Sequence, residues 1–341
     1  MMNKGKAIIL LSVLLLGGCA TTRPITSPDG PDLVWPEPPD PPRIRFLYSL
    51  TRPDDLGITK GFFQRLWEFF AGKRLEQVEK PYGVAAEGER IYITDQALRV
   101  IHIFDLEAGS YGRVERAGDR YFEALLGIAV DGDGRFYVSD PDASRLYLFD
   151  EDGELLRSAD VGEAILRPTG LAFDRARGLL YVVDTLGHKV VILDRDFQRR
   201  GEIGRRGERD GEFNFPTHAF VRKDGRLYVA DTFNFRVQAF APDGTYLFKF
   251  GRVGNSLASF AQPKGIAVDS EGHIYVVEGR LNVIKVFDSG GQLLLVLGGL
   301  GAERGRFWLP TGLYIDAADR IYVADSFNQR VQVFQYLREQ P

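Results

Sequence analysis

Six acidic residues recur along this chain at a nearly constant interval, and that interval restricts the fold more than any other feature. They are Asp95, Asp140, Asp184, Asp231, Glu278 and Asp325, separated by 45, 44, 47, 47 and 47 residues. Each closes a run of aromatic and β-branched residues, such as Ile91-Tyr92-Ile93, Phe136-Tyr137-Val138, Ile274-Tyr275-Val276 and Ile321-Tyr322-Val323. That is the composition of a buried strand. A second run begins upstream beside a glycine, at Gly83-Val84, Gly127-Ile128, Gly170-Leu171, Gly265-Ile266 and Gly312-Leu313. A third lies downstream, clearest at 237–240 and 331–334, and a fourth follows a glycine turn, as in Gly244-Thr245-Tyr246-Leu247-Phe248.

A lone sheet of four short strands has two apolar faces and buries neither. A ring of such sheets buries both. The pattern therefore predicts an all-β, six-bladed propeller over 81–341. Ala129, Ala172, Ala219 and Ala267 suit the crowded innermost strands. The sixth unit stops after its third strand, while an orphan run, Arg43 to Leu50, precedes the first. That run is expected to supply the missing outer strand of blade six, closing the ring and covering an open edge. The rest of the 43–80 segment contains Phe62, Phe63, Leu66, Trp67, Phe69 and Phe70 at helical spacing. This predicts a short amphipathic helix at about 61–73 that covers one end of the propeller, or docks on a membrane or partner.

Residues 1–18 have the anatomy of a signal peptide: Lys4 and Lys6, then an apolar run from Ala7 to Leu16. A membrane-spanning helix needs roughly 20 such residues. The stretch Leu16-Gly17-Gly18-Cys19 resembles the lipobox of bacterial lipoproteins. The resemblance implies acylation of Cys19, the only cysteine, and a lipid-anchored protein of the cell envelope. Ala20, where an Asp would retain the protein at the inner membrane, points to the outer one. Residues 19–42 hold eight of the seventeen prolines and are expected to form an extended tether. The net charge of −4 gives no support to nucleic-acid binding. A monomer is expected.

The unit running through Pro310, Thr311, Gly312, Tyr322, Asp325, Asn328, Arg330 and Phe334 resembles the NHL repeat. Asp231, Asn234, Arg236 and Phe240 match it as well, and blades two and three keep Asp140 with Arg145 and Asp184 with Lys189. The resemblance supports the six-bladed propeller. NHL propellers serve amidating lyases, sensor domains, RNA-binding regulators and bacterial lipoproteins, so it leaves function open.

What repeats in every blade is architecture, and what breaks the repeat is a candidate for function. The amidating members place histidines directly after the proline that opens the inner strand. Here those positions hold Tyr82, Leu126, Thr169, Thr217, Lys264 and Thr311. No catalytic set, metal-ligand set or cofactor motif emerges. Of His102, His188, His218 and His273, only His218 is expected near the axis, where it replaces a glycine. His218 and Tyr314 are the candidate axial residues. The blade-to-blade loops carry Arg205, Arg206, Arg209, Arg252, Arg304, Arg306 and Trp308, with Lys264 where the last of these loops but one enters its blade. These, with Phe213, Phe215, Phe260 and Phe307, suggest a rim that docks an envelope protein or an anionic polymer. A non-catalytic, lipid-anchored scaffold or ligand-binding propeller is the leading expectation. An envelope hydrolase or lyase with an axial metal is the alternative.

Overall fold

A computed structural model of the chain describes residues 32–58, 76–254 and 256–338. Cys19 and the expected helix at 61–73 lie outside the described residues. The described chain forms six antiparallel sheets arranged as the blades of a propeller. Blade one runs outward from the axis through Pro81–Glu87, Arg90–Asp95, Val100–Asp105 and Ser110–Val114. The inner strands of the other blades are Ile128–Val130, Pro168–Asp174, His218–Val221, Pro263–Val268 and Pro310–Ile315.

The ring closes as the orphan run predicts. Ile44–Leu50 pairs antiparallel with Arg330–Tyr336, in a register that sets Phe46 opposite Phe334 and Leu50 opposite Val331. Blade six therefore takes strands from both ends of the chain. Val34–Trp35 then adds a fifth strand outside Ile44–Leu50. Residues 19–42 are thus not all tether. Trp35 meets Phe334 edge-on at 5.7 Å and its indole lies against Gly305, where a Cβ has no room. An aromatic that can cover apolar core at a sheet edge outweighs the surrounding prolines.

Three devices hold neighbouring blades together. Along the axis, a row of glycines permits backbone contact. A Cβ at Gly83, Gly127, Gly170, Gly265 or Gly312 would come within 2.6 Å of a carbonyl oxygen on the next blade. Beside this row, hydroxyls cross to the next blade's carbonyls: Thr94 to Leu126 at 2.8 Å, Ser139 to Thr169 at 2.6 Å, Thr185 to Pro216 at 2.7 Å, Thr232 to Pro263 at 2.9 Å, and Ser326 to Pro81. Further out, Phe213, Phe260 and Phe307 wedge beneath Gly204, Gly251 and Gly298, whose φ values are 85°, 91° and 100°. Those glycines adopt a conformation that other residues enter only with strain. The three phenylalanines are therefore core residues, at most 1% exposed, and not part of a docking rim.

The repeated acidic residue anchors the incoming loop. Asp95 accepts from the backbone N–H groups of Glu79 and Lys80, Asp140 from Glu123 and Ala124, and Asp184 from Leu166 and Arg167. Glu278 does the same for Ala261 and Gln262, so its extra methylene leaves the role intact. Among the described residues an arginine joins in two blades: Arg236 meets Asp231 at 2.7 Å and Arg330 meets Asp325 at 2.8 Å. The pairing expected in blades two and three does not form. Arg145 turns to Asp160 and Lys189 to Glu202, both on outer strands, where the charges stay hydrated.

Candidate functional site

The inner strands enclose an axial channel of about 820 Å³. Register between first and second strands aligns the inner positions of the six blades. The residues opposite the repeated tyrosine of the second strand are Ala85, Ala129, Ala172, Phe220, Ala267 and Tyr314. Ala219 is therefore one place out of step with the small residues among which it was counted. Phe220 and Tyr314 are the two large side chains at a position that is otherwise alanine, and both line the channel. Two further departures join them. His218 stands where the other five blades have the axial glycine, and Tyr82 follows the opening proline of blade one.

Tyr82 and His218 come from opposite blades and stack across the axis, ring centroids 5.5 Å apart and planes 19° apart. They close the channel at the end bearing the blade-to-blade loops. Removal from water pushes the Tyr82 hydroxyl up to about 12, against the pull of Arg167. Removal from water pushes His218 down to about 3, helped by the nearby Lys264. The imidazole is neutral at ordinary pH.

A chain of hydrogen bonds fixes its tautomer. Thr232 Oγ1 donates to the Pro263 carbonyl at 2.9 Å. Thr217 must then donate to Thr232, 2.8 Å away, which leaves Thr217 Oγ1 only as an acceptor. His218 Nδ1, 3.0 Å from it, carries the proton. Nε2, across the ring, is a bare acceptor, buried and without a hydrogen-bond partner.

The other end of the channel is open and polar. Glu87 lies 3.5 Å from Arg175. Burial pushes its carboxyl up from the usual range and Arg175 draws it back. Tyr314 sits near both, its hydroxyl pushed up to about 12 by burial. One carboxylate oxygen of Glu87 and one of Asp174 are buried without a hydrogen-bond partner. Arg320 bridges Asp316 at 2.7 Å and Glu89 at 2.9 Å, and Arg222 meets Asp224 at 3.1 Å. The carboxylates of this face are thus widely offset by arginine.

The remaining histidines are held elsewhere. His102 is buried between Tyr111 and Asp95, His188 accepts from the Phe215 N–H, and His273 bonds Asp269 at 2.9 Å, which raises it above its ordinary value. Among the described residues, no three His, Cys, Asp or Glu side chains gather as a metal would require.

The loop cations do not form one patch. Arg205 is tied to Glu212 at 3.0 Å, and Arg304 lies over the Phe46 ring at 5.9 Å. Arg206, Arg209, Arg252 and Arg306 are exposed on three separate loops. Lys264 is half-buried, its side chain against Gly279. Burial lowers it and Glu278 partly restores it. Trp308 is 51% exposed and stacks on Phe327 at 5.6 Å, with Lys80 over the same Phe327 ring.

Sequence reasoning missed an asymmetry in exposed apolar surface. Thirteen large apolar side chains are exposed among the described residues, and ten belong to blade-to-blade loops or to turns between second and third strands. Leu186, Phe233, Leu281 and Phe327 tip four such turns. The other three, Leu156, Leu247 and Leu294, are on outer strands. None lies on the turns of the opposite face.

Comparison with known proteins agrees with this geometry. The NHL repeat family matches residues 307–334. This chain is a six-bladed β-propeller carrying an NHL repeat. Solved structures share the propeller fold at low sequence identity. A protein of unknown function from Bacteroides thetaiotaomicron matches with a TM-score of 0.60 and 15% identity, covering 77% of this chain and 70% of that chain. A catalytically inactive virginiamycin B lyase from Staphylococcus aureus, with quinupristin, gives 0.57 and 14%, covering 77% and 97%. An auxiliary nutrient binding protein, also from Bacteroides thetaiotaomicron, gives 0.58 and 10%, covering 77% and 71%. At such identities the likeness is one of fold alone. No curated protein sequence matches this chain.

Proposed function

We propose that this protein is a non-catalytic docking propeller of the bacterial envelope, anchored by lipid on Cys19, whose loop face binds a partner protein. One observation carries the reading: among the described residues, every exposed large apolar residue outside the outer blade strands belongs to a blade-to-blade loop or to a turn between second and third strands, on the loop side of the wheel. A solvated face has no need of a pair of exposed aromatics such as Trp308 with Phe327, or of an exposed Phe233 packed on the half-buried Phe215 at 5.3 Å. Aromatic and arginine side chains together are what protein interfaces use as anchors. The partly charged surroundings, Arg206, Arg252, Arg306 and Lys80, suit a partner with acidic residues around an apolar centre. The low-identity neighbours include binding proteins and enzymes alike and favour neither.

The test is site-specific photocrosslinking in intact cells. A photoreactive residue in place of Phe327 or Phe233 is expected to give a discrete covalent adduct with one protein. The same residue in place of Leu156 or Leu247 on the outer strands is expected to give none. Equal labelling from both sets, or none from the loop face, would overturn the proposal.

A further inference from the structure

We propose that the axial channel is a binding site for a small neutral saccharide of one or two rings, entering from the face opposite the loops. The argument is independent of the loop-face reading. Four side chains break the sixfold repeat at the axis: Tyr82, His218, Phe220 and Tyr314. All four line one cavity. If they served only to fill the wheel, they would leave no channel of this size. Instead they give it aromatic walls and a stacked floor, within the volume range of small-molecule sites.

The polar atoms of the walls define what such a ligand offers. Three buried polar atoms of the channel-lining residues have no hydrogen-bond partner: His218 Nε2, one oxygen of Glu87, whose carboxylate faces Arg175, and one oxygen of Asp174, 3.8 Å from Arg177. The bare imidazole nitrogen accepts, and a buried acceptor without a donor is destabilising. The missing group is therefore a donor of several hydrogen bonds. An amine would supply donors too, but the carboxylates at the open end already have cations, Glu87 with Arg175, Asp224 with Arg222 and Asp316 with Arg320, so an ammonium group would leave water without a free counter-charge. A polyol carries hydroxyl donors without charge, and its apolar C–H face suits the rings of Tyr314 and Phe220. Nε2 is covered in the empty channel, so the sugar hydroxyl reaches it when the Tyr82 ring turns aside, a rotamer change of the usual size on binding.

The experiment uses the full-length protein and calorimetric titration with glucose, galactose, N-acetylglucosamine and maltose, alongside putrescine and inorganic phosphate. Saturable binding of at least one sugar at about 10 mM or below is expected, with no heat from putrescine or phosphate. Tyr314→Ala and Phe220→Ala place in blades six and four the residue that the other four blades carry, so both variants should fold. Each should weaken the sugar about tenfold or more, while Leu247→Ala leaves it unchanged. The 15N resonance of His218 Nε2 should move on addition of the sugar. Binding of only putrescine or phosphate, no binding by any sugar, or sugar binding indifferent to Tyr314 and Phe220 would each overturn the proposal.

Discussion

Tyr82 and His218 stack across the propeller axis from opposite blades, and the stack holds a neutral imidazole whose only bonded nitrogen is Nδ1. The threonine relay from Thr217 through Thr232 to the Pro263 carbonyl fixes that proton. Nitrogen NMR should therefore show His218 as the Nδ1-protonated tautomer. Thr232→Val removes the relay's last donor, frees the Thr217 proton and should let the Nε2-protonated form appear. An Nε2-protonated ring in the unaltered protein would contradict the relay.

The same histidine makes stability depend on pH. Its folded value, about 3, lies below the ordinary value near 6.5. Between those limits the unfolded chain binds the proton and the folded chain does not. The contribution is complete above about pH 6.5 and is lost as pH falls toward 3. Near pH 6.5 the unfolded histidine is only half protonated, so the loss between about pH 6.5 and 5.5 is roughly 1 kcal/mol rather than the full 1.4. Urea unfolding at about pH 6.5 and 5.5 checks it: the midpoint should fall further in the unaltered protein than in His218→Gln.

How far this was legible in the sequence differs between architecture and site. The spacing of Asp95, Asp140, Asp184, Asp231, Glu278 and Asp325 encodes blade number because each one anchors a loop by backbone hydrogen bonds, a local device that leaves a local signature. Ile44–Leu50 was readable as the closing strand because one strand was missing from the count. The channel was half readable. His218 and Tyr314 stand out as breaks in the repeat, but Phe220 was hidden by a one-place slip that misfiled Ala219, and only the register with Tyr228 reveals it. The fate of Phe213, Phe260 and Phe307 was not readable either. A phenylalanine in a glycine-rich loop looks the same whether it is exposed or slotted under a glycine 9 residues earlier.

The two kinds of Asp–cation blade should respond differently to mutation. Arg330 is 9% exposed, pairs with a fully buried Asp325, and donates to the carbonyls of Glu303 and Arg306. Arg330→Ala should cost about 3–5 kcal/mol, since it strands a buried carboxylate, and Arg330→Lys should not restore it because one ammonium cannot reproduce the fork. Lys189→Ala, removing a surface partner of Glu202, should cost less than about 1 kcal/mol. Denaturant midpoints of the three variants test the contrast.

The wedge should be equally sensitive. Gly251→Ala places a Cβ 2.3 Å from the Phe260 ring at a φ of 91°. The strain and the displaced ring should together cost about 2–4 kcal/mol. Gly211→Ala, also at positive φ but with nothing within 4 Å, should cost about 1 kcal/mol. Thermal unfolding of both variants separates backbone strain from steric conflict.

Acylation of Cys19 has a direct check. Cells fed radiolabelled palmitate should incorporate label into the unaltered protein, and Cys19→Ser should abolish it. Label retained by Cys19→Ser would remove the anchor.

The clasp formed by Ile44–Leu50 on Arg330–Tyr336 has a mechanical meaning. The chain ahead of Val34 leads straight into the strand that fastens the wheel, so any pull applied there is felt first by the fastening and not by a finished, self-supporting body. A load arriving through that lead shears a sheet whose two partners sit at opposite ends of the sequence. The wheel would then spring open at blade six while the other five sheets, each made of consecutive strands, kept their own pairing.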